Sequence, residues 1–82
     1  RGVCGTAVLE GANQIVADVR DLDNYLSCNF DTRSEIVVLI RAEEDGRILG
    51  QIDVDGTKVN AFGKDEERFL TSVAALLAPC LT

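Results

Sequence analysis

Histidine is absent from this sequence, and cysteine occurs only three times. Without histidine or a close pair of cysteines, the usual zinc donor sets cannot be assembled, so no metal site is expected. An odd number of thiols also fails to make the paired framework of a small secreted domain. Cations are scarce as well. Eight Lys and Arg stand against fourteen Asp and Glu, a formal charge of −6. That balance argues against phosphate backbones and anionic membranes, so neither nucleic acid nor a membrane is expected as a partner. No apolar run approaches the roughly 20 residues of a membrane-spanning helix, and no basic-then-apolar signal precedes the first element. The expectation is a cytoplasmic chain with reduced thiols. Internal repeats, low-complexity tracts and linkers are missing too.

What is present is an ordinary globular composition, 46% hydrophobic and 27% charged. At this length it allows one small domain over residues 1–82 with a marginal core. The opening Gly2-Val3-Cys4-Gly5 reads as flexible. Thr6 to Glu10 suggests a short helix stopped by Gly11, and Ile15-Val16-Ala17 a short strand. Asp18 to Arg33 has no sustained period, beyond one helical turn around Leu22 to Leu26. Ser34 to Arg41 is a near-continuous β-branched run, the mark of a strand buried on both faces. Ala42-Glu43-Glu44-Asp45-Gly46-Arg47 reads as a hairpin turn with Asp45-Gly46 as its tight corner, and the return strand is Ile48 to Val54. Alternation along that strand puts Gln51, Asp53 and Asp55 on one face, and Ile48, Gly50, Ile52 and Val54 on the other. Lys64 to Ala78 has helical spacing, with Phe69, Leu70, Val73, Leu76 and Leu77 as its buried stripe and Pro79 as its limit. The fold class is therefore α+β: an antiparallel sheet with a C-terminal helix packed on its aliphatic face.

The chemistry concentrates around Cys28, Cys4, Glu35, Asp53 and Asp55. Nearby acids raise a thiol pKa, which suits a simple nucleophile poorly. They suit reduction of a sulfoxide better, because its oxygen must leave with protons and a crowded carboxylic acid can supply one. Carboxylates that stay ionised could hold a substrate ammonium. Attack on sulfur leaves a sulfenic acid, which a second thiol condenses to a disulfide; Cys28 and Cys4 fit those roles. The plainer readings are that strand carboxylates face solvent and that Cys80 is a small residue packed on the last helix. An EF-hand reading of Gln51-Ile52-Asp53-Val54-Asp55-Gly56 fails, since Gln51 holds its first position and Phe62 its twelfth.

Four segments carry a family resemblance: Gly2-Val3-Cys4-Gly5-Thr6-Ala7, Val16-Ala17-Asp18-Val19, Cys28 with Ser34-Glu35-Ile36-Val37-Val38, and Gly50-Gln51-Ile52-Asp53-Val54-Asp55. Their order and spacing resemble the GAF-domain free methionine-(R)-sulfoxide reductases over nearly the whole chain. The resemblance implies a GAF-like domain, with Cys28 as the attacking thiol and Cys4 as the resolving thiol. It further implies that Glu35, Asp53 and Asp55 line the site for free methionine sulfoxide, with no cofactor and with a thioredoxin-type reductant. The sequence departs from the family pattern at Asn24-Tyr25-Leu26-Ser27-Cys28-Asn29, which lacks a histidine and an aspartate beside the thiol, and at Leu39 and Gly56.

The leading expectation is thus a free methionine-(R)-sulfoxide reductase. The alternatives are a GAF-type small-molecule or redox sensor without turnover, and a structural remnant that forms a homodimer. The chain reads like the later portion of a longer GAF domain, incomplete on its N-terminal side. Nothing in the sequence is expected to cover the second face of the Ile36–Ile40 strand, so completion by an upstream half or a partner chain is anticipated. Cys4 and Cys28 should approach within bridging distance, with Cα atoms about 7 Å apart or less.

Overall fold

The computed structural model describes residues 3–21 and 32–81. Helix α1 (Val3–Glu10) leads into strand β1 (Gln14–Val16) and a single 3-10 turn (Val19–Asp21). Strands β2 (Ser34–Arg41) and β3 (Ile48–Gly56) follow, and helix α2 (Lys64–Leu81) ends the described chain. The sheet runs β1-β2-β3, antiparallel at both junctions. The predicted helical turn around Leu22 to Leu26 lies outside the described residues.

β2 is the centre of the molecule. Its residues from Ser34 to Ile40 are all buried, as its β-branched run requires of a strand covered on both faces. Ile36, Val38 and Ile40 meet Ala74 and Ala78 of α2, with Ile15, Ile52, Val54, Phe62 and Leu70 around them. On the opposite face Val37 and Leu39 meet Val3 and Ala7 of α1. Complete burial of a side chain such as Ile36 stabilises by about 1.5–3 kcal/mol, so this strand carries much of the core.

The second face is therefore covered, contrary to the sequence expectation, and by the segment read as flexible. Val3 and Ala7 stand four apart on one side of α1, so burying both against β2 outweighs the weak helix propensity of Gly5. α1 ends as expected at Gly11. Its positive φ of 66° lets Gly11 N–H donate to Val8 and Ala12 N–H to Ala7, the paired bonds of a Schellman cap. Arg41 then donates to the carbonyls of both Gly11 and Gly46, tying this cap to the β2–β3 turn.

That turn spans Ala42 to Arg47, as the sequence suggests, but Asp45-Gly46 is not its two-residue corner. Ala42 and Arg47 close it, Gly46 N–H reaches back to Ala42 O, and only Gly46 within it has positive φ, 73°. A type I′ corner would need positive φ at Asp45 as well. Just beyond it the register slips between Ile40 and Arg41, leaving Leu49 as the extra residue of a bulge. Ile48 consequently joins the α1 face, not the aliphatic face assigned to it by simple alternation, while Leu49 joins the α2 face.

α2 starts with an acidic first turn. Glu66 reaches back to accept from Gly63 N–H, half of a capping box. The helix continues through Pro79 to Leu81, because a proline this near the end disturbs only the last turn. Its buried stripe also differs from the expected one. Ala74 and Ala78 are buried with Leu70 beside them, whereas Phe69, Leu76 and Leu77 are exposed. Small residues let the helix approach the sheet closely, and the larger apolar side chains are turned outward. Among the described residues no helix is long and apolar enough to cross a membrane.

Candidate active site

The register of the β2–β3 pair sets the site. Glu35 lies opposite Asp55, and Val37 opposite Asp53; on its other side Glu35 lies opposite Val16 of β1. Glu35, Val37 and Leu39 share a face with Gln51, Asp53 and Asp55, which is the face that α1 covers. α1 stops short of blanketing it. Val3 and Ala7 sit on Val37 and Leu39, and Cys4, one residue along, is left at the border between this apolar contact and the acids.

There the Cys4 thiol donates a 3.0 Å hydrogen bond to Asp53 Oδ2. Sγ of Cys4 and a carboxylate oxygen from each of Glu35 and Asp53 all lie within 4.8 Å of one another. Glu35 is buried, only 5% exposed, while Asp53 and Asp55 stand at the open side and Cys4 is half-buried between. Electrostatics follow from this crowding. The Cys4 thiol is pushed up to about 12, by burial first, then by its bond to Asp53, then by the charges of Asp53, Glu35 and Asp55. The Asp55 carboxyl is raised by burial and by the Asp53 charge. Cys4 is therefore a protonated thiol at neutral pH. The three donor atoms are close enough to share a cation. Here Sγ donates its proton in a hydrogen bond to Asp53, and the three groups form an acid–thiol cluster.

Four of the five residues singled out in the sequence are thus described. Cys4, Glu35 and Asp53 form one cluster with Asp55 on its rim, and Cys28 lies outside the described residues. Glu35 is not the solvated carboxylate that the plainer reading allowed. Cys80, read as packed, is exposed on α2, and α2 lies across the sheet from Cys4. Sequence reasoning missed Asn13. Its side chain accepts from Leu39 N–H and donates to Glu67, closing the edge of β2 just before β1 begins. Nothing in the turn-like Ala12-Asn13-Gln14 distinguishes such a clasp from an ordinary loop asparagine. Gln51, on the same face, has a buried Oε1 without a hydrogen-bond partner among the described residues.

The GAF domain family matches residues 1–81. The chain belongs to that family. Among relatives, a free methionine-R-sulfoxide reductase of Saccharomyces cerevisiae is 40% identical over 77 residues, which is 94% of this chain and 42% of the yeast protein. The solved type II free methionine-R-sulfoxide reductase of Thermoplasma acidophilum is 41% identical with a TM-score of 0.89, covering 98% of this chain and 55% of that one. The enzyme from Neisseria meningitidis, solved in complex with its substrate, is 34% identical with a TM-score of 0.85, covering 96% and 46%. The chain spans about half the length of these relatives. GAF membership agrees with the antiparallel sheet and C-terminal helix described above.

Proposed function

We propose that this GAF chain takes part in thiol-dependent reduction of free methionine-(R)-sulfoxide, with residues 1–82 forming part of a single GAF domain. The observation that carries the reading is the protonated Cys4 thiol hydrogen-bonded to Asp53 beside buried Glu35. A thiol held protonated in this way is a poor first nucleophile, and we assign Cys4 the resolving role. The attacking thiol is then Cys28. It takes the sulfoxide oxygen, methionine leaves, and Cys28 is left as a sulfenic acid. Cys4 condenses with that acid to a disulfide and water, and a thioredoxin-type dithiol reduces the disulfide.

The carboxylates divide the remaining work. Asp55, whose carboxyl is raised, is the acid best placed to supply a proton to the departing oxygen. Glu35 and Asp53, close together on the same face, provide the negative field for the ammonium of a free amino acid. A reducing cytoplasm suits this cycle. The similarity to named reductases supports the substrate class.

The test is to incubate the full-length protein with methionine-R-sulfoxide, methionine-S-sulfoxide and a thioredoxin recycling system, and to quantify methionine. Formation from the R form, lost in Cys28→Ser, supports the reading. Saturable binding of the sulfoxide without methionine formation would replace it with a sensor.

A further inference from the structure

We propose that Asp53 is the proton acceptor for Cys4, so that this thiol attacks with its proton passing to Oδ2 and not by prior loss to solvent. The inference rests on the reading of Cys4 as a reacting thiol and assigns Asp53 a task beyond holding substrate.

Geometry carries it. Of the acids on this face, Asp53 is the one that receives the thiol proton, at 3.0 Å. It comes from β3 at the level of Val37, the same residue that α1 covers through its neighbouring turn. Glu35 of β2 and Asp55 of β3 also face Cys4, acting on it through their charge. β1 brings only Gln14, Ile15 and Val16 to the sheet, none of them charged. The charges of Asp53, Glu35 and Asp55 around Cys4 all oppose a free thiolate here. A thiol that must react in such a field needs its proton taken during the attack, by a base already in hydrogen-bond contact. Asp53 is in that contact.

In the resolving step the Cys4 S–H bond breaks and its proton moves to Asp53 Oδ2. The sulfur lone pair forms the S–S bond with the sulfenic sulfur, and the S–O bond breaks. The departing oxygen keeps its own hydrogen and takes the proton from Asp53, leaving as water. Cys4 sulfur is oxidised, the sulfenic sulfur is reduced, and the carboxylate is regenerated.

The test uses the full-length protein and follows alkylation of Cys4 by iodoacetamide as a function of pH, with the Cys4 peptide quantified by mass spectrometry. Base-assisted attack makes the wild-type rate nearly flat over roughly pH 6 to 8, since it does not depend on free thiolate. Asp53→Asn removes both the base and its charge, so its rate should climb about tenfold per pH unit across the same range. Asp53→Glu, which keeps a carboxylate, should restore the flat segment. Circular dichroism checks that each variant is folded. A wild-type rate that already climbs about tenfold per pH unit overturns the proposal, because only free thiolate would then be reacting. So does a flat profile that survives in folded Asp53→Asn. The wider functional reading fails separately: it requires a disulfide through Cys4 after exposure to methionine sulfoxide, which the alkylation profile does not measure.

Discussion

At Asp55, burial and the neighbouring Asp53 hold the carboxyl above its ordinary value, and the sign of the consequence is fixed by linkage. Below the ordinary carboxylate range the group is protonated both folded and unfolded, and contributes nothing. As pH rises, the unfolded chain ionises first, so stability is lost through the interval up to the raised folded value. Asp55→Asn should therefore melt at a higher temperature than wild type at pH 7, and the advantage should vanish in strong acid. A melting series from acid to neutral pH checks both limbs. Glu67 runs the other way. Its carboxyl is held low, chiefly by the Asn13 side-chain donor, so its contribution is present above the ordinary value and fades as pH falls. Asn13→Ala should weaken that dependence, leaving only the part due to Lys64, and leave Leu39 N–H without its acceptor, a loss of about 1–3 kcal/mol in denaturant unfolding. The acids at 35, 53 and 55 could be placed on one face from sequence, since strand alternation and a hairpin bring them together. Asn13 could not be found that way, because its partners on β2 and α2 are distant in the chain.

Among the elements, β2 and β3 were legible because a β-branched run and a turn signal leave few alternatives. Ile48 was misplaced for a physical reason: a bulge adds one residue without altering composition. α1 was read too short because its helical state depends on Val3 and Ala7 meeting β2, a contact that local propensity does not encode. α2 was found with the wrong stripe, since periodicity favours the larger apolar side chains whereas the sheet accepts alanine. Two substitutions separate these cases. Ala74→Leu should destabilise by about 1–3 kcal/mol through overpacking, while Leu76→Gln, at a 76% exposed position, should stay within about 0.5 kcal/mol. Chemical denaturation of both variants decides between the two stripes. Gly56 is a third element-level constraint. A Cβ there would lie 2.7 Å from Ser34 Oγ and 2.8 Å from Ala61 Cβ, and Ser34 is fully buried while donating to Lys58 O. Gly56→Ala should cost about 1–3 kcal/mol, with Ser34→Ala in the same background recovering part of it.

For the molecule as a whole, the exposed side chains of Phe69, Leu76, Leu77 and Leu81 lie along α2. β3 meanwhile pairs with β2 alone among the described residues, leaving a nine-residue strand with one open edge. Open edges and contiguous apolar surface favour association. A polypeptide limited to residues 1–82 should therefore sediment as more than a monomer and bind a hydrophobic dye, and Phe69→Glu with Leu76→Glu should reduce both. A sharply melting monomer that binds no dye would show that these surfaces need no cover. The sheet also works as a partition, with Cys4 of α1 and its acids on one face and Cys80 on the helix across it. The two thiols differ in exposure as well as in location, so with Cys28 replaced by serine a maleimide-bearing support should capture the protein through exposed Cys80. Every tethered molecule would then be held by its α2 side, with the acid cluster presented to the passing solution.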